Sequence, residues 1–269
     1  IDGSSTVFPI MEAVSEEFQA ANPDVQAPVG VSGTGGGFEK FVRGELDLAN
    51  ASRPIKEEEK TAANEKGIEF TEFELAKDGL SVVVSKDNDF VDSLTVEELQ
   101  KMWLEDGKVK TWKDIRPEWP AEKIEFFSPG TDSGTYDYWS EVILEEKPMR
   151  RDAQLSEDDN VLVQGVTGSK NAIGFFGYAY YQANKDKLKA VPIDGGNGPV
   201  EPNAETIESG EYAPLSRPLF TYVNNKSLKD NEAVYEYTKF ALENAGELAS
   251  SDTIGYVSLP KEKYEEQMK

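Results

Sequence analysis

Ile10, Val14 and Phe18 recur at helical spacing across residues 8–21, and Asn22-Pro23 ends that run. Residues 25–31 then read as a short strand, 38–43 as a short helix and 46–49 as a second strand. A charged helix over 57–67 leads into a strand over 69–73. Residues 80–85, Leu-Ser-Val-Val-Val-Ser, form the unbroken β-branched run of a strand buried on both faces. Beyond it the pattern predicts a helix over 96–104, a strand over 124–128 and a helix over 135–144. A helix over 158–166, a strand over 172–176, a helix over 178–184 and a strand over 189–193 follow. Three Gly and two Pro make 194–202 a loop. The last elements are a strand over 219–223, a helix over 231–243 and a turn after 251–256. Strands alternating with helices predict an α/β fold. Two apolar strands, 80–84 and 219–223, bracket the middle of the chain. If both pass between lobes, residues 1–80 and 220–269 form one lobe with both termini, and 81–219 form the other.

Composition narrows the function classes. Against 28 Lys and Arg stand 51 Asp and Glu, a formal net charge of −23. Nucleic-acid backbones are held by clustered cations, so a general nucleic-acid binder is excluded, and docking on an anionic membrane surface is disfavoured. The chain has no His and no Cys. His-dependent triads, thiolate nucleophiles, disulfides and His or Cys metal sites are therefore absent, and no cofactor is expected. No apolar run approaches the ~18 residues of a membrane span. The first residue is Ile1, read as the mark of a processed chain whose export signal has been removed.

Three segments share one design, a strand followed by a Gly- and hydroxyl-rich loop and a helix. They are Gly3-Ser4-Ser5-Thr6, Ser32-Gly33-Thr34-Gly35-Gly36-Gly37 and Thr131-Asp132-Ser133-Gly134-Thr135. Unpaired N–H groups and a positive dipole make a helix N-terminus an anion site, and hydroxyls add donors. Any one such loop is ordinarily a helix cap. Three of them, at strand ends that line the crevice of an open α/β sheet, point to an anion. The fourth segment is Ala51-Ser52-Arg53-Pro54, where one of only six arginines follows a short apolar strand. Its fork suits a bidentate oxyanion or a surface ion pair.

These segments, written out as Gly-Ser-Ser-Thr-Val-Phe-Pro, Ser-Gly-Thr-Gly-Gly-Gly-Phe, Asp-Leu-Ala-Asn-Ala-Ser-Arg-Pro-Ile and Ser-Pro-Gly-Thr-Asp-Ser-Gly-Thr-Tyr, resemble the PstS family, the phosphate-binding proteins of bacterial phosphate ABC transporters. Lys77-Asp78-Gly79-Leu80 and Asn171-Ala172-Ile173-Gly174-Phe175-Phe176-Gly177-Tyr178 fit the same family. The resemblance implies a two-lobe type II periplasmic-binding-protein fold with two crossover strands and one phosphate in the cleft. It implies a monomeric extracytoplasmic receptor, lipid-anchored or free in the periplasm, that serves a membrane permease and is no enzyme.

Carried over residue by residue, the resemblance gives Ser5, Thr6 and Val7 from the first loop and Ser32, or Thr34 in its place, from the second. Ser52 and Arg53 come from the third segment, and Ser133, Gly134 and Thr135 from the last. Some family members place Asp and Arg where this chain has Arg53 and Pro129, so the guanidinium is expected to have changed lobes. The carboxylate that accepts the phosphate proton must then lie elsewhere, at Asp78 or at Asp132. Such an acceptor separates phosphate, which keeps a proton at neutral pH, from sulfate, which has none to share. A receptor for sulfate or molybdate is the nearest rival and predicts no carboxylate in the site. An enzyme would need a base that the chain lacks beside its serines. The aromatic run Phe175 to Tyr181 reads as packing rather than as a partner patch.

Overall fold

Residues 1–269 are all described by a computed structural model. Its strands are β1 (Asp2–Gly3), β2 (Leu48–Ala51), β3 (Phe70–Ser85), β4 (Leu94–Thr95), β5 (Glu125–Pro129), β6 (Gln154–Ser156), β7 (Ala172–Gly177), β8 (Leu188–Ala190), β9 (Ile193–Asp194), β10 (Pro199–Val200) and β11 (Ser216–Asn224). Its α-helices are α1 (Phe8–Ala21), α2 (Gly33–Val42), α3 (Glu57–Glu65), α4 (Val96–Trp103), α5 (Gly134–Val142), α6 (Asp159–Thr167), α7 (Tyr178–Ala183), α8 (Ala204–Ser209), α9 (Asn225–Asp230), α10 (Glu232–Ala249) and α11 (Lys261–Gln267). The chain divides into two compact units, Ile1–Asp78 with Arg217–Lys269, and Gly79–Ser216. It passes from one to the other within β3 and within β11. The divisions fall two residues before the expected Leu80 and three before the expected Leu219.

In the first unit β1 runs parallel to β2, and β11 runs antiparallel to it with Thr221 opposite Asn50. The period of two sorts β2 and β11 between two cores. Leu48, Leu219 and Val223 join α1 and α10 through Val7, Ile10, Val14, Phe18, Tyr237 and Ala241. Ala49, Ala51, Phe220 and Tyr222 face the other way, onto Phe38 and Phe41 of α2 and Ile55.

The second unit is built on the C-terminal half of β3, which pairs antiparallel with β7 on one side and with β8 on the other. β5 continues the sheet parallel to β7, and β6 parallel to β5. Flanking strands on both sides make β3 an interior strand here, Leu80 to Ser85 are buried without a break, and Val83 packs with Leu162 and Val166 of α6. Phe127 and Phe176 pack with Leu162 and Val166 of α6. Phe126 and Phe175, one position along, meet Trp103 of α4, and Trp139 of α5 stacks on Phe175 at 3.9 Å. A separate three-stranded sheet, β10-β9-β4, completes this unit.

Among the local expectations that fail, two have reasons that bear on the site. No strand forms over residues 25–31. That segment lies along β1 through two backbone bonds, Gly30 N–H to Ile1 O and Ser32 N–H to Gly3 O, and Pro28 has no N–H to extend the ladder. The glycine run that reads as a loop is instead the first half of α2, so no strand-loop-helix unit exists there. Gly in a helix costs ~1 kcal/mol each relative to Ala, but here close approach repays it. A Cβ on Gly37 would lie 2.7 Å from Gly3 Cα, so α2 seats directly on the end of β1. Gly37→Ala is expected to destabilise the protein by about 1–3 kcal/mol despite the better helix former, because backbone must move. A thermal melt showing equal or higher stability would contradict that seating.

Candidate functional site

The loop between β1 and α1 is fixed at each end. Gly3 has φ +141 and would, with a Cβ, place it 2.1 Å from Asn50 O, so only glycine lets β1 turn here against β2. Ser4 N–H donates to that same Asn50 O at 3.0 Å. Ser4 Oγ accepts from Thr6 N–H at 3.2 Å and Val7 N–H at 3.4 Å. Both bonds are long because two donors share one oxygen, so an arriving anion oxygen displaces little in taking them. The phenol of Tyr256 donates to Thr6 O at 2.8 Å. Arg217 Nη2 donates to Thr6 Oγ1 at 2.8 Å, and Arg217 Nε lies 3.7 Å from Asp78 Oδ2. Thr6, Asp78 and Arg217 are exposed by only 4%, 4% and 9%. Burial pushes the Tyr256 phenol well above its ordinary pKa; Asp78 adds to that shift and Arg217 opposes it. A hydroxyl, a guanidinium and a carboxylate are thus buried together in the first unit.

Ser32 Oγ donates to Asp2 Oδ1 at 2.9 Å. Burial works to raise the Asp2 carboxyl, but the Lys40 ammonium, the Ser32 hydroxyl and the Gly3 N–H outweigh it and hold it below the usual carboxylate range. Ser32 therefore spends its proton on an ionised neighbour. Thr34 Oγ1 lies 3.1 Å from Ser52 Oγ and accepts Ser52 N–H at 3.1 Å, which joins the second and third predicted segments. Arg53 does not stand open for a ligand. Its two terminal nitrogens close on Glu59 at 2.9 and 2.8 Å, over the ring of Phe38. Burial opposes ionisation of Glu59, yet the bonds from Arg53 and from Lys56 N–H hold its carboxyl below the usual range. The pair anchors the start of α3, so the guanidinium that the resemblance offers as an oxyanion fork is engaged with Glu59.

In the second unit Ser133 caps α5, its Oγ accepting from Thr135 N–H at 3.1 Å. Ser133, Gly134 and Thr135 are half-buried. Asp132 is exposed, and its N–H goes to Glu157 Oε1 at 3.3 Å. Of the two acceptor candidates, Asp78 is thus buried and Asp132 exposed. Asp159, at the start of α6, is pushed up to about 6 by burial, with Asp158 and Glu157 adding to the shift and Tyr180 opposing it. Its native pKa lies above the unfolded value, so its protonation favours folding at low pH and that contribution is lost as pH rises from about 4 through 6. Asp159→Asn is expected to gain about 1–2 kcal/mol over the parent at pH 7.5, after solvent screening, and nothing at pH 4. Denaturant midpoints at the two pH values check this; an equal gap at both refutes it.

No group of three or more Asp or Glu side chains is arranged to hold a metal ion. Residues 1–245 match the PBP superfamily domain. The phosphate-binding protein PstS of Staphylococcus saprophyticus is 48% identical over 99% of this chain and 82% of its own length. The chain belongs to the PstS family. The crystal structure of a possible phosphate binding protein from Planctomyces limnophilus superposes with a TM-score of 0.93 at 48% identity, over 99% of this chain and 94% of that one. An ABC-type phosphate transport receptor from Vibrio cholerae superposes with a TM-score of 0.75 over 96% and 98% of the two chains, and at 24% identity shows the fold alone.

Against the PstS motifs, the structure brings Thr34 to Ser52 and ties Thr6 to Asp78 through Arg217. It sends Ser32 to Asp2 and Arg53 to Glu59. Arg217 is the residue that sequence reasoning missed. It lies outside every PstS-like segment, in Leu215-Ser216-Arg217-Pro218, ahead of an apolar strand. One signal was present: it is one of six arginines in a chain of net charge −23, placed at the entry to the second crossover strand.

Proposed function

We propose that the chain binds inorganic phosphate outside the cytoplasm and delivers it to the membrane permease of an ABC transporter, as a monomer, without a cofactor and without catalysis. The observation that carries the reading is the buried set of Thr6, Arg217 and Asp78 beside the N-terminus of α1. The Thr6 hydroxyl, held by Arg217, and the N–H groups of Ser5 to Val7 surround the anion's oxygens, and Asp78 accepts the proton that phosphate retains. Thr34 and Ser52 supply further hydroxyls. Support comes also from the 48% identical relative that bears the name phosphate-binding protein. No helix is long and apolar enough to cross a membrane; in this reading the protein is lipid-anchored at the cell surface or free in the periplasm. Calorimetric titration of anion-stripped protein tests the reading. Tight one-to-one binding of phosphate with silence toward sulfate is expected; tight sulfate binding, or binding of neither, overturns it.

A further inference from the structure

Arg217 has five N–H donors and no acceptor, so its 2.8 Å contact with Thr6 Oγ1 has only one polarity. The guanidinium donates and the hydroxyl oxygen accepts. That leaves the Thr6 proton with a narrowed choice of direction, because one lone pair of its oxygen is already engaged. Threonine in a loop otherwise turns its proton to a nearby backbone carbonyl, which competes with any ligand. The carbonyl of Thr6 itself is occupied by the Tyr256 phenol at 2.8 Å. Arg217 in turn is held by Asp78, 3.7 Å from its Nε, at a point where both residues are fixed in strands. Asp78 is the last residue of the first unit on β3, and Arg217 the first on β11. The hydroxyl is thus oriented by an ion pair anchored on both crossover strands.

We propose that Arg217 is a positioning residue for oxyanion binding: by donating to Thr6 Oγ1 it aims the Thr6 hydroxyl proton at a bound tetrahedral oxyanion, and its contribution to affinity passes through that hydroxyl. This rests on the phosphate reading above and deepens it. A residue that served only to hold the fold would lower stability, and its effect on affinity would be the same whether or not position 6 carried a hydroxyl. A residue that acts through Thr6 loses its effect once the hydroxyl is gone.

The test is a double-mutant cycle on the full chain, with inorganic phosphate as the probe and titration calorimetry as the readout. Arg217→Met in the parent is expected to weaken phosphate binding about 30-fold. In a Thr6→Val background the same change is expected to cost less than about threefold. In a Thr6→Ser background, which keeps a hydroxyl, the loss of about 30-fold is expected to return. Arg217→Lys keeps the charge opposite Asp78 but not the fork, and serves for the cycle if Arg217→Met fails to fold by thermal melt. Equal losses in the parent and in Thr6→Val overturn the proposal, because Arg217 then acts independently of the hydroxyl. A parent chain that binds no phosphate overturns the functional reading instead, so the two failures are distinguishable.

Discussion

Asp78→Asn is expected to lower the preference for phosphate over sulfate by about 100-fold, through a weaker phosphate complex and a stronger sulfate one. The carboxylate accepts from the protonated oxygen of phosphate. An asparagine at the same place presents a carbonyl oxygen in one rotamer and an N–H₂ group in the other. The second offers bare sulfate oxygen a donor where the parent offers only repulsion, and removes the charge that strengthened the bond to phosphate. Asp78 is 4% exposed and its ion pair with Arg217 lies among buried groups, so the substitution also leaves a buried guanidinium short of its counter-charge. Breaking a buried pair from one side costs about 3–5 kcal/mol in general, and the neutral isostere, which keeps shape and one acceptor, is expected to cost less. Stability and selectivity are therefore read separately, by denaturant titration and by calorimetry with each anion. A phosphate-to-sulfate ratio unchanged in a folded Asp78→Asn protein removes Asp78 from the acceptor role. A collapse of affinity for both anions in equal measure assigns it to holding Arg217 alone.

The fold was legible in the chain wherever a single physical signal dominated. Helical spacing in Ile10, Val14 and Phe18 marked the span of α1, and the β-branched run of residues 80–85 announced a strand buried on both faces. The glycine run was misread because local propensity and tertiary packing disagree there. Four glycines argue for a loop, but Gly37 against Gly3 and two fully buried phenylalanines make a helix at this place the better-packed choice. Strand β3 was read as two pieces because Lys77, Asp78 and Gly79 break its apolar pattern. Those residues are where the chain leaves one unit for the other, and a charged residue inside a buried strand marks the ion pair to Arg217. The loops of the site were visible as motifs, since hydroxyl and glycine residues cluster in sequence. The partner of Thr6 was invisible, since 211 residues separate it from Arg217 and nothing local to either encodes the contact. Arg53 is the converse case, a residue whose sequence context fits an anion ligand and whose ion pair was also not read from the sequence. Its partner Glu59 lies six residues on, at the third position of α3, where its carboxylate also takes the Lys56 N–H at 2.8 Å as a helix cap.

Trp139→Ala is expected to cost the second unit about 4 kcal/mol, while Trp139→Phe costs under about 1 kcal/mol. Trp139 is fully buried, lies flat on Phe175 at 3.9 Å with an interplanar angle of 8°, and meets the edge of Trp103 at 5.5 Å. Truncation to alanine removes the whole ring from the centre of an aromatic cluster whose other members sit on β5, β7 and α4, none free to close the void. Phenylalanine keeps the stack and loses part of the volume. It also removes an indole Nε1 that is buried without a hydrogen-bond partner. An unpaired buried donor is costly, so deleting it offsets much of the lost packing. The two substitutions together separate ring stacking from polar satisfaction at one position. Hydrogen exchange localises the effect: amides of β5 and β7 are expected to lose protection in Trp139→Ala while those of β2 keep theirs, because β2 draws its core from α1, α2 and α10. A Phe variant as unstable as the Ala variant would show that the indole nitrogen has a partner after all, a bound water among the tryptophans. Uniform loss of protection across both units would show that they unfold as one.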